Sequence, residues 1–494
     1  MCGLGGGKAL LGLRMVSLPA MGRYAPLLGA VAVALCAELA TNALADTFRF
    51  TPILIGEQIF TDNVNSDAED RDADGVTVLT ARAQMLLTTT RINAAAVVDA
   101  SYYEFWQHND SDAFTANGVA AGRLDIFKNH FYITGLVERT QFFQTPTEDS
   151  AAGFAEIQGV QQTNYEVNPT IQTDILGLVD FTAQGRYAQV FFDDPVVDGL
   201  GNTLTDITIK QVTGLLTTGD RATLYEASAG GEYIETDTGF RQRNIVGSLE
   251  LKLTKGFHAI GRYGYEHTED PTINTIKGPI WSFGGRYTMG ENSVVHVEYG
   301  RRYNDVAWLG DINFVVTPKL TITGSYSDSL APVQLQLIRT FSELLTEQGT
   351  LDIGAPSEPE IADVEILDQI VRDRDLDTSV VFVNGLQTYT FASRHIQRFY
   401  PSLAASEKVL GFDFILQERL SRRLTYTLNM TYENGYERVL GDPPYKAYEP
   451  SIEFRYVYNS STTFAGSYTY RLFTEDGATD THENVIRVSV AKVL

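Results

Sequence analysis

The sequence predicts an all-β fold, a transmembrane antiparallel up-and-down β-barrel. Three observations predict it. Apolar and polar residues alternate with a period of two along most of the chain. There are 25 Tyr and 26 Phe in 494 residues, yet the mean hydropathy is only −0.11. The links between the alternating stretches are alternately short and long. A helical membrane protein would need runs of about 18–20 apolar residues, and no stretch after residue 45 supplies one. A barrel hides its lipid face in the alternation and looks mildly polar overall.

The chain opens with an export-signal pattern over residues 1–45. Lys8, Arg14 and Arg23 give a basic start, Leu27 to Cys36 an apolar stretch, and Ala43-Leu44-Ala45 the small residues a signal peptidase reads. Cleavage is expected between Ala45 and Asp46, and Met21 offers an alternative start. The apolar run is short for a membrane span, and Leu35 stands where a lipoprotein signal needs a small residue before Cys36. Both cysteines, Cys2 and Cys36, lie in this leader. The remainder therefore has no disulfide, no Cys-ligated zinc and no Cys nucleophile.

Residues 46–494 form the expected barrel. In Leu424–Glu433, Leu424, Tyr426, Leu428, Met430 and Tyr432 share one face, and Thr425, Thr427, Asn429, Thr431 and Glu433 the other. Leu320–Ser327 and Phe464–Leu472 repeat the pattern. Such stretches run about 10–14 residues, longer than the ~5–6 of soluble sheets and matched to a tilted span. At roughly 20–25 residues per strand with its share of links, the chain holds about 18–22 strands, an even number. A barrel that wide encloses a lumen that side chains alone do not fill.

The links sort by length. Thr254-Lys255-Gly256, Thr288–Ser293, Thr317-Pro318-Lys319 and Ser421-Arg422-Arg423 read as short turns on the periplasmic side. Asp62–Gly75, His108–Gly118, Asp193–Thr205, His267–Gly278, Asn434–Lys446 and Thr474–Asn484 read as long extracellular loops. Residues 327–378 form the longest insert, with apolar residues at helical spacing in IADVEILDQIVRD. It reads as a solvated loop, a constriction folded into the pore or a small periplasmic domain. The acidic set Asp62, Asp67, Glu69, Asp70, Asp72 and Asp74 does not match an EF-hand spacing. It reads as a solvated loop or a loose divalent-ion site shared with lipopolysaccharide.

Polar faces should line the lumen, because Arg or Lys facing lipid at mid-depth costs about 2–4 kcal/mol. Parity selects Arg262, Glu266, Arg286, His296, Glu298 and Arg302 as pore-lining candidates. They could orient a polar sugar or an ion, or cross-link neighbouring strands. Tyr102, Tyr103, Phe105, Trp106, Tyr456 and Tyr458 read as interface girdles.

The net charge of −24 argues against nucleic acid as a partner. No catalytic constellation stands out: Ser393 and His395 share a strand face without an orienting acid. His258 with His267, and His482 with Glu483, form no recognisable metal set. No enzymatic activity, cofactor or metal is expected.

FTPILIGEQIFTDNVN after the leader, GPIWSFGGRYTMGENSVVHVEYGRRYND with LTITGSYSDSL in the middle, and THENVIRVSVAKVL at the end carry a resemblance. They resemble the outer-membrane barrels associated with PEP-CTERM/exosortase systems, which accompany exopolysaccharide loci. Lys492 departs from the alternating apolar end that such barrels usually carry. The resemblance implies a Gram-negative outer-membrane barrel, a channel connected with exopolysaccharide export or secretion. Its implied partners are outer-membrane lipids and lipopolysaccharide, the barrel assembly machinery, a polysaccharide and periplasmic export components. It brings no catalytic residues. A general or substrate-specific diffusion porin and a non-conducting surface or scaffold barrel are the competing expectations.

Overall fold

The computed structural model describes residues 47–64, 71–108, 112–128, 130–142, 160–193, 205–219, 222–290, 292–336, 370–438 and 443–494. The expected leader with its Ala45/Asp46 cleavage point lies outside them. So do Asp67, Glu69 and Asp70 of the acidic loop and residues 337–369 of the long insert.

The first strands are β1 (Thr47–Thr61), β2 (Asp74–Thr88), β3 (Ile92–Phe105), β4 (Ala113–Phe127), β5 (Phe131–Phe142), β6 (Val160–Ile175) and β7 (Val179–Phe192). Then come β8 (Ile207–Thr218), β9 (Tyr225–Thr236), β10 (Arg241–Lys252), β11 (Phe257–Asp270), β12 (Ile273–Thr288), β13 (Val294–Arg302), β14 (Asp305–Thr317) and β15 (Leu320–Pro332). A one-turn helix, α1 (Val333–Gln336), follows β15. The chain ends with β16 (Ile370–Asn384), β17 (Gln387–Tyr400), β18 (Ala405–Arg419), β19 (Leu424–Glu437), β20 (Tyr445–Val457), β21 (Thr462–Glu475) and β22 (Thr481–Val493).

These 22 strands form one antiparallel sheet. Each pairs with its chain neighbours, and β1 closes on β22 in a register running from Ile53↔Val493 to Thr61↔Val485. Closure leaves the sheet without a free edge strand, which a lipid environment demands.

The alternation becomes two faces. Ile245 is 71% exposed, and Tyr263, Tyr265, Phe283, Tyr287 and Val297 are exposed with it. All belong to the outer face of β10–β13. Polar residues of opposite parity point into the lumen. On the far side of the barrel Phe391, Phe412, Tyr432 and Tyr448 form an outward ladder across β17–β20, with ring centroids 6.2, 6.3 and 4.9 Å apart. Lys492 stands opposite Leu54 on the outer face at the rim that carries both chain ends. The expected girdle around Tyr102–Trp106 divides by parity. Tyr102 and Trp106 are exposed, whereas Tyr103 and Phe105 are buried. Tyr103 and Phe105 belong to an inward apolar cluster with Ile59, Val64, Val76, Val78 and Val485.

Every link at the rim carrying the chain ends is short. The opposite rim departs from expectation. His267–Gly278 is not a long loop: β11 runs to Asp270, and Pro271-Thr272 alone joins it to β12. Asp62–Gly75, His108–Gly118, Asn434–Lys446 and Thr474–Asn484 also shorten, because the strands continue into polar sequence beyond the apolar band, whereas the link expected at Asp193–Thr205 keeps its length, between Phe192 of β7 and Ile207 of β8. The long insert is shortened at both ends for the same reason. Pro332 pairs with Ile370 in a continuous β15–β16 ladder, so residues 327–332 and 370–378 of the expected insert belong to strands.

Three consecutive short hairpins, β9–β10, β11–β12 and β13–β14, form a low section of this rim. Here the wall rolls inward. Tyr303 and Asn304, the β13–β14 turn, both adopt positive φ (53° and 60°). Asn tolerates that conformation; a bulky aromatic does so only when its surroundings hold it. The Tyr303 N–H donates to the lumen-facing Glu266 carboxylate. The Tyr303 ring lies under the guanidinium groups of Arg302 and Arg372, at 4.7 and 5.4 Å. Asn304 lies over Gly278, where an added Cβ would stand 2.8 Å from its Oδ1.

The upper β15–β16 hairpin follows the same roll. Leu330 and Ile370 have the parity of the outward residues Tyr326 and Leu376, yet both are buried. They pack with Tyr303 and Phe240, against Ile234, Ile273 and Ile276. From there α1 brings Leu335 onto Ala188, Val190, Ile207 and Ile209, an apolar patch on the lumen face of β7 and β8. The lip is pinned by charge as well. Arg372 grips Asp328 through two bonds of 2.8 and 2.7 Å, Arg374 reaches Asp305 at 2.6 Å, and Arg302 donates to the Asp328 carbonyl.

Candidate functional site

The lumen face of β6–β14 carries a band of polar side chains linked strand to strand. Arg186 on β7 donates through Nε to Glu166 on β6 at 2.8 Å and through Nη1 to Gln211 on β8 at 3.5 Å. Gln211 donates to Glu232 on β9 at 2.6 Å. Asn244 on β10 donates Nδ2 to the other Glu232 oxygen at 3.3 Å. The band resumes at Arg262 on β11, whose Nη2 is 2.8 Å from Glu298 on β13. Ser282 on β12 donates to Glu298 at 2.6 Å. His296 bridges Glu298 and Asp311 of β14 at 2.7 and 2.8 Å. Antiparallel register makes this possible, because residues of one parity on successive strands stand beside each other. Buried carboxylates such as Glu166 and Glu298 are tolerable only because each is paired and hydrogen-bonded.

All six pore-lining candidates face inward, but they do not form one row. Arg262, His296 and Glu298 are joined as described. Arg286 pairs with Glu250, which His258 also contacts, nearer the rim with the chain ends. Glu266 is buried and committed to the Tyr303 turn. Arg302 belongs to the lip. Glu166, Arg186, Gln211, Glu232, Asn244, Asp328 and Arg372 were not singled out from sequence. The parity argument that selected the six would have found the first five, had it been extended to β6–β10; Asp328 and Arg372 have outward parity and are turned inward only by the bend of the β15–β16 hairpin.

Between Asn244 and Arg262 the band carries no hydrogen bond among the described residues. Asn244 is 8% exposed and its Oδ1 has no partner, nor has Arg262 Nε. A cavity of about 390 Å³ opens at this gap. Its charged lining is Glu232, Glu298, Arg262, Arg301 and Arg302, with Asn244 and Ser282 beside them, and its apolar lining includes Val246, Ile280, Ala307 and Leu309. At Gly300 an added Cβ would stand 2.0 Å from the Trp281 carbonyl oxygen, and at Gly284 2.0 Å from that of Val297. The backbones crowd here as the wall bends, and only glycine permits it.

Ser393 and His395 are not part of any lumen constellation. Ser393 bonds Thr378 on the neighbouring strand and His395 bonds the Tyr436 hydroxyl. Among the described residues no group of three or more His, Cys, Asp or Glu is placed to hold a metal ion.

Fold and lumen together define a class: a transmembrane β-barrel with an apolar outer face, a polar cross-linked interior and a rolled lip at one rim. No family model matches the chain, and no curated protein matches it. Solved structures that are similar to it include the apoprotein form of the FrpB iron transporter from Neisseria meningitidis (TM-score 0.49, 11% identity, covering 91% of this chain and 81% of that one). The siderophore receptor PirA from Pseudomonas aeruginosa is similar at TM-score 0.44 and 12% identity, covering 91% and 81%. OprD from Pseudomonas aeruginosa is similar at TM-score 0.37 and 11% identity, covering 92% and 97%.

Proposed function

We propose that this chain is an outer-membrane channel of a Gram-negative bacterium that serves the export of exopolysaccharide. The observation that carries the channel reading is the lumen wall. Charged and amide side chains face inward along β6–β14 and the outer face is apolar, so water and lipid are kept on opposite sides. Orientation follows the links. The rim with only short turns and both chain ends faces the periplasm, and the lipped rim faces outward. The exopolysaccharide reading rests on the resemblance of the first, middle and last segments to exosortase-associated barrels. It is supported by the mixed Arg and Glu lining, which suits a polar polymer better than a hydrophobic one.

Two measurements separate the readings. Refolded protein in a planar bilayer should conduct ions, and a null mutant of the source organism should secrete less extracellular polysaccharide, restored by complementation. Conductance with normal secretion would make the chain a diffusion porin. A folded barrel that does not conduct would overturn both and leave a surface or scaffold role.

A further inference from the structure

We propose that Arg243 and Lys277, on the outer face at the lipped rim, bind the phosphate-bearing headgroup of an outer-leaflet lipid. The choice of leaflet rests on the orientation given above.

Register places the two cations together. Arg243 on β10 stands opposite His267 on β11, and His267 opposite Lys277 on β12. All three have the parity of the outward residues Ile245 and Tyr265. Arg243 and Lys277 are exposed. Two strand spacings separate them, about 10 Å, so their long side chains can converge over His267. Neither has a carboxylate partner among the described residues. The Arg243 guanidinium lies over the Tyr233 ring at 5.4 Å, which holds it in place without using its N–H donors.

The carboxylates nearby are engaged elsewhere. In the next row toward the rim, Glu235 pairs with Arg241 at 3.1 Å and faces Lys210, and Glu269 contacts His267 at 3.1 Å. In the turns, Asp237 accepts the Thr208 N–H and Asp270 the Thr272 N–H. On a chain of net charge −24, two neighbouring cations left without carboxylates mark a place for an outside anion. Away from the rim the face turns apolar at once. Ile245, Tyr265 and Pro279 form the next row, and Tyr263 and Trp281 follow. Cations above Tyr and Trp above aliphatic surface is the order of a bilayer boundary. The matching ligand joins a cluster of anionic acceptor oxygens to hydrocarbon, which a phosphorylated lipid does. A polymer in the lumen meets the other face of the wall, and inorganic phosphate offers nothing to the apolar rows.

The test is native mass spectrometry of the purified barrel in detergent, titrated with diphosphoryl lipid A and with phosphatidylcholine, and with inorganic phosphate as competitor. The variant is Arg243→Gln combined with Lys277→Gln. Lys446→Gln serves as the control, because Lys446 is an exposed outward cation at the same rim on β20. Heat-modifiable mobility on gels reports that each is a folded barrel. Lipid A should bind more tightly than phosphatidylcholine. The double variant should bind lipid A about thirtyfold more weakly, the loss of two cations beside an anionic headgroup, and the control should not change. A folded wild type that prefers neither lipid overturns the site, as does a double variant that binds like wild type. Displacement of lipid A by an equal concentration of inorganic phosphate overturns the lipid assignment. Thr272→Cys, in the β11–β12 turn, reacted on intact cells with a membrane-impermeant maleimide, checks the orientation separately. Labelling with no lipid binding removes the site and leaves the orientation standing. Lipid binding without labelling overturns the choice of leaflet.

Discussion

At the scale of single residues, polarity alone misled where partner and position decide. Tyr103 and Phe105 look like girdle aromatics beside Tyr102 and Trp106, but successive residues on a strand face opposite ways. Glu266 looks like a free lumen carboxylate, but a turn from the second strand over uses it as an acceptor. Inward orientation was legible in Arg262, Arg286, His296 and Glu298. Their partners were not, because register depends on turns and on irregularities such as the one between Thr268 and Asp270. The lipped rim carries a titratable example. His108, in the β3–β4 link, is hydrogen-bonded to Asp74 at 2.8 Å and lies near Asp72. The bond to the Asp74 carboxylate holds His108 above its ordinary value of 6.5. A raised value in the folded state means that this contact is fully stabilising below the unfolded value and is lost as pH rises through the folded one. Titration of the His108 ring by NMR should place its midpoint above 6.5, and Asp74→Asn should bring it down. A midpoint unmoved by Asp74→Asn would show that the pair is not formed.

At the scale of elements, alternation located the strands, because a lipid face on one side and water on the other impose a period of two. It did not locate their ends. A run such as HTEDPTINTIKG marks where the wall leaves the apolar layer, not where pairing stops. Once in water, a strand continues with polar side chains on both faces and all its backbone bonds intact. The lip was equally hidden, since Leu330 and Ile370 have outward parity and become buried only when the hairpin bends over a lower neighbour. The pair Arg372–Asp328 lies at its root, with side chains 11% and 0% exposed. Removing one partner of such a buried pair costs about 3–5 kcal/mol. Arg372→Ala, and separately Leu330→Ser, should loosen the lip without opening the ring. Single-channel recordings should then show larger or noisier current steps than wild type. Unchanged steps from a folded variant would mean that the lip does not limit the passage.

At the scale of the whole molecule, the outer face has to match a bilayer and the inner face water. Ile245, outward and in the middle of β10, tests the first. Ile245→Arg should destabilise the barrel in lipid vesicles by about 2–4 kcal/mol, the midplane cost of a lipid-facing Arg. Ser325→Arg, on the lumen face, should be nearly neutral in the same urea-refolding measurement. Equal costs at both positions would contradict the assignment of faces.

The seam between β1 and β22 carries a kinetic consequence. Thr61 bonds Glu483, and the Asn484 side chain and backbone N–H both bond Asp62, across 422 positions of sequence. Among the described residues no strand pairing joins segments farther apart in sequence than this closing pair, and loop-closure entropy makes such pairings slow. Until the last strand emerges from synthesis, β1 exposes a row of unpaired amides, an open edge that templates aggregation. The ring therefore has to be sealed in one late step, with β22, the last of the 22 strands in chain order, as the strand that ends the search.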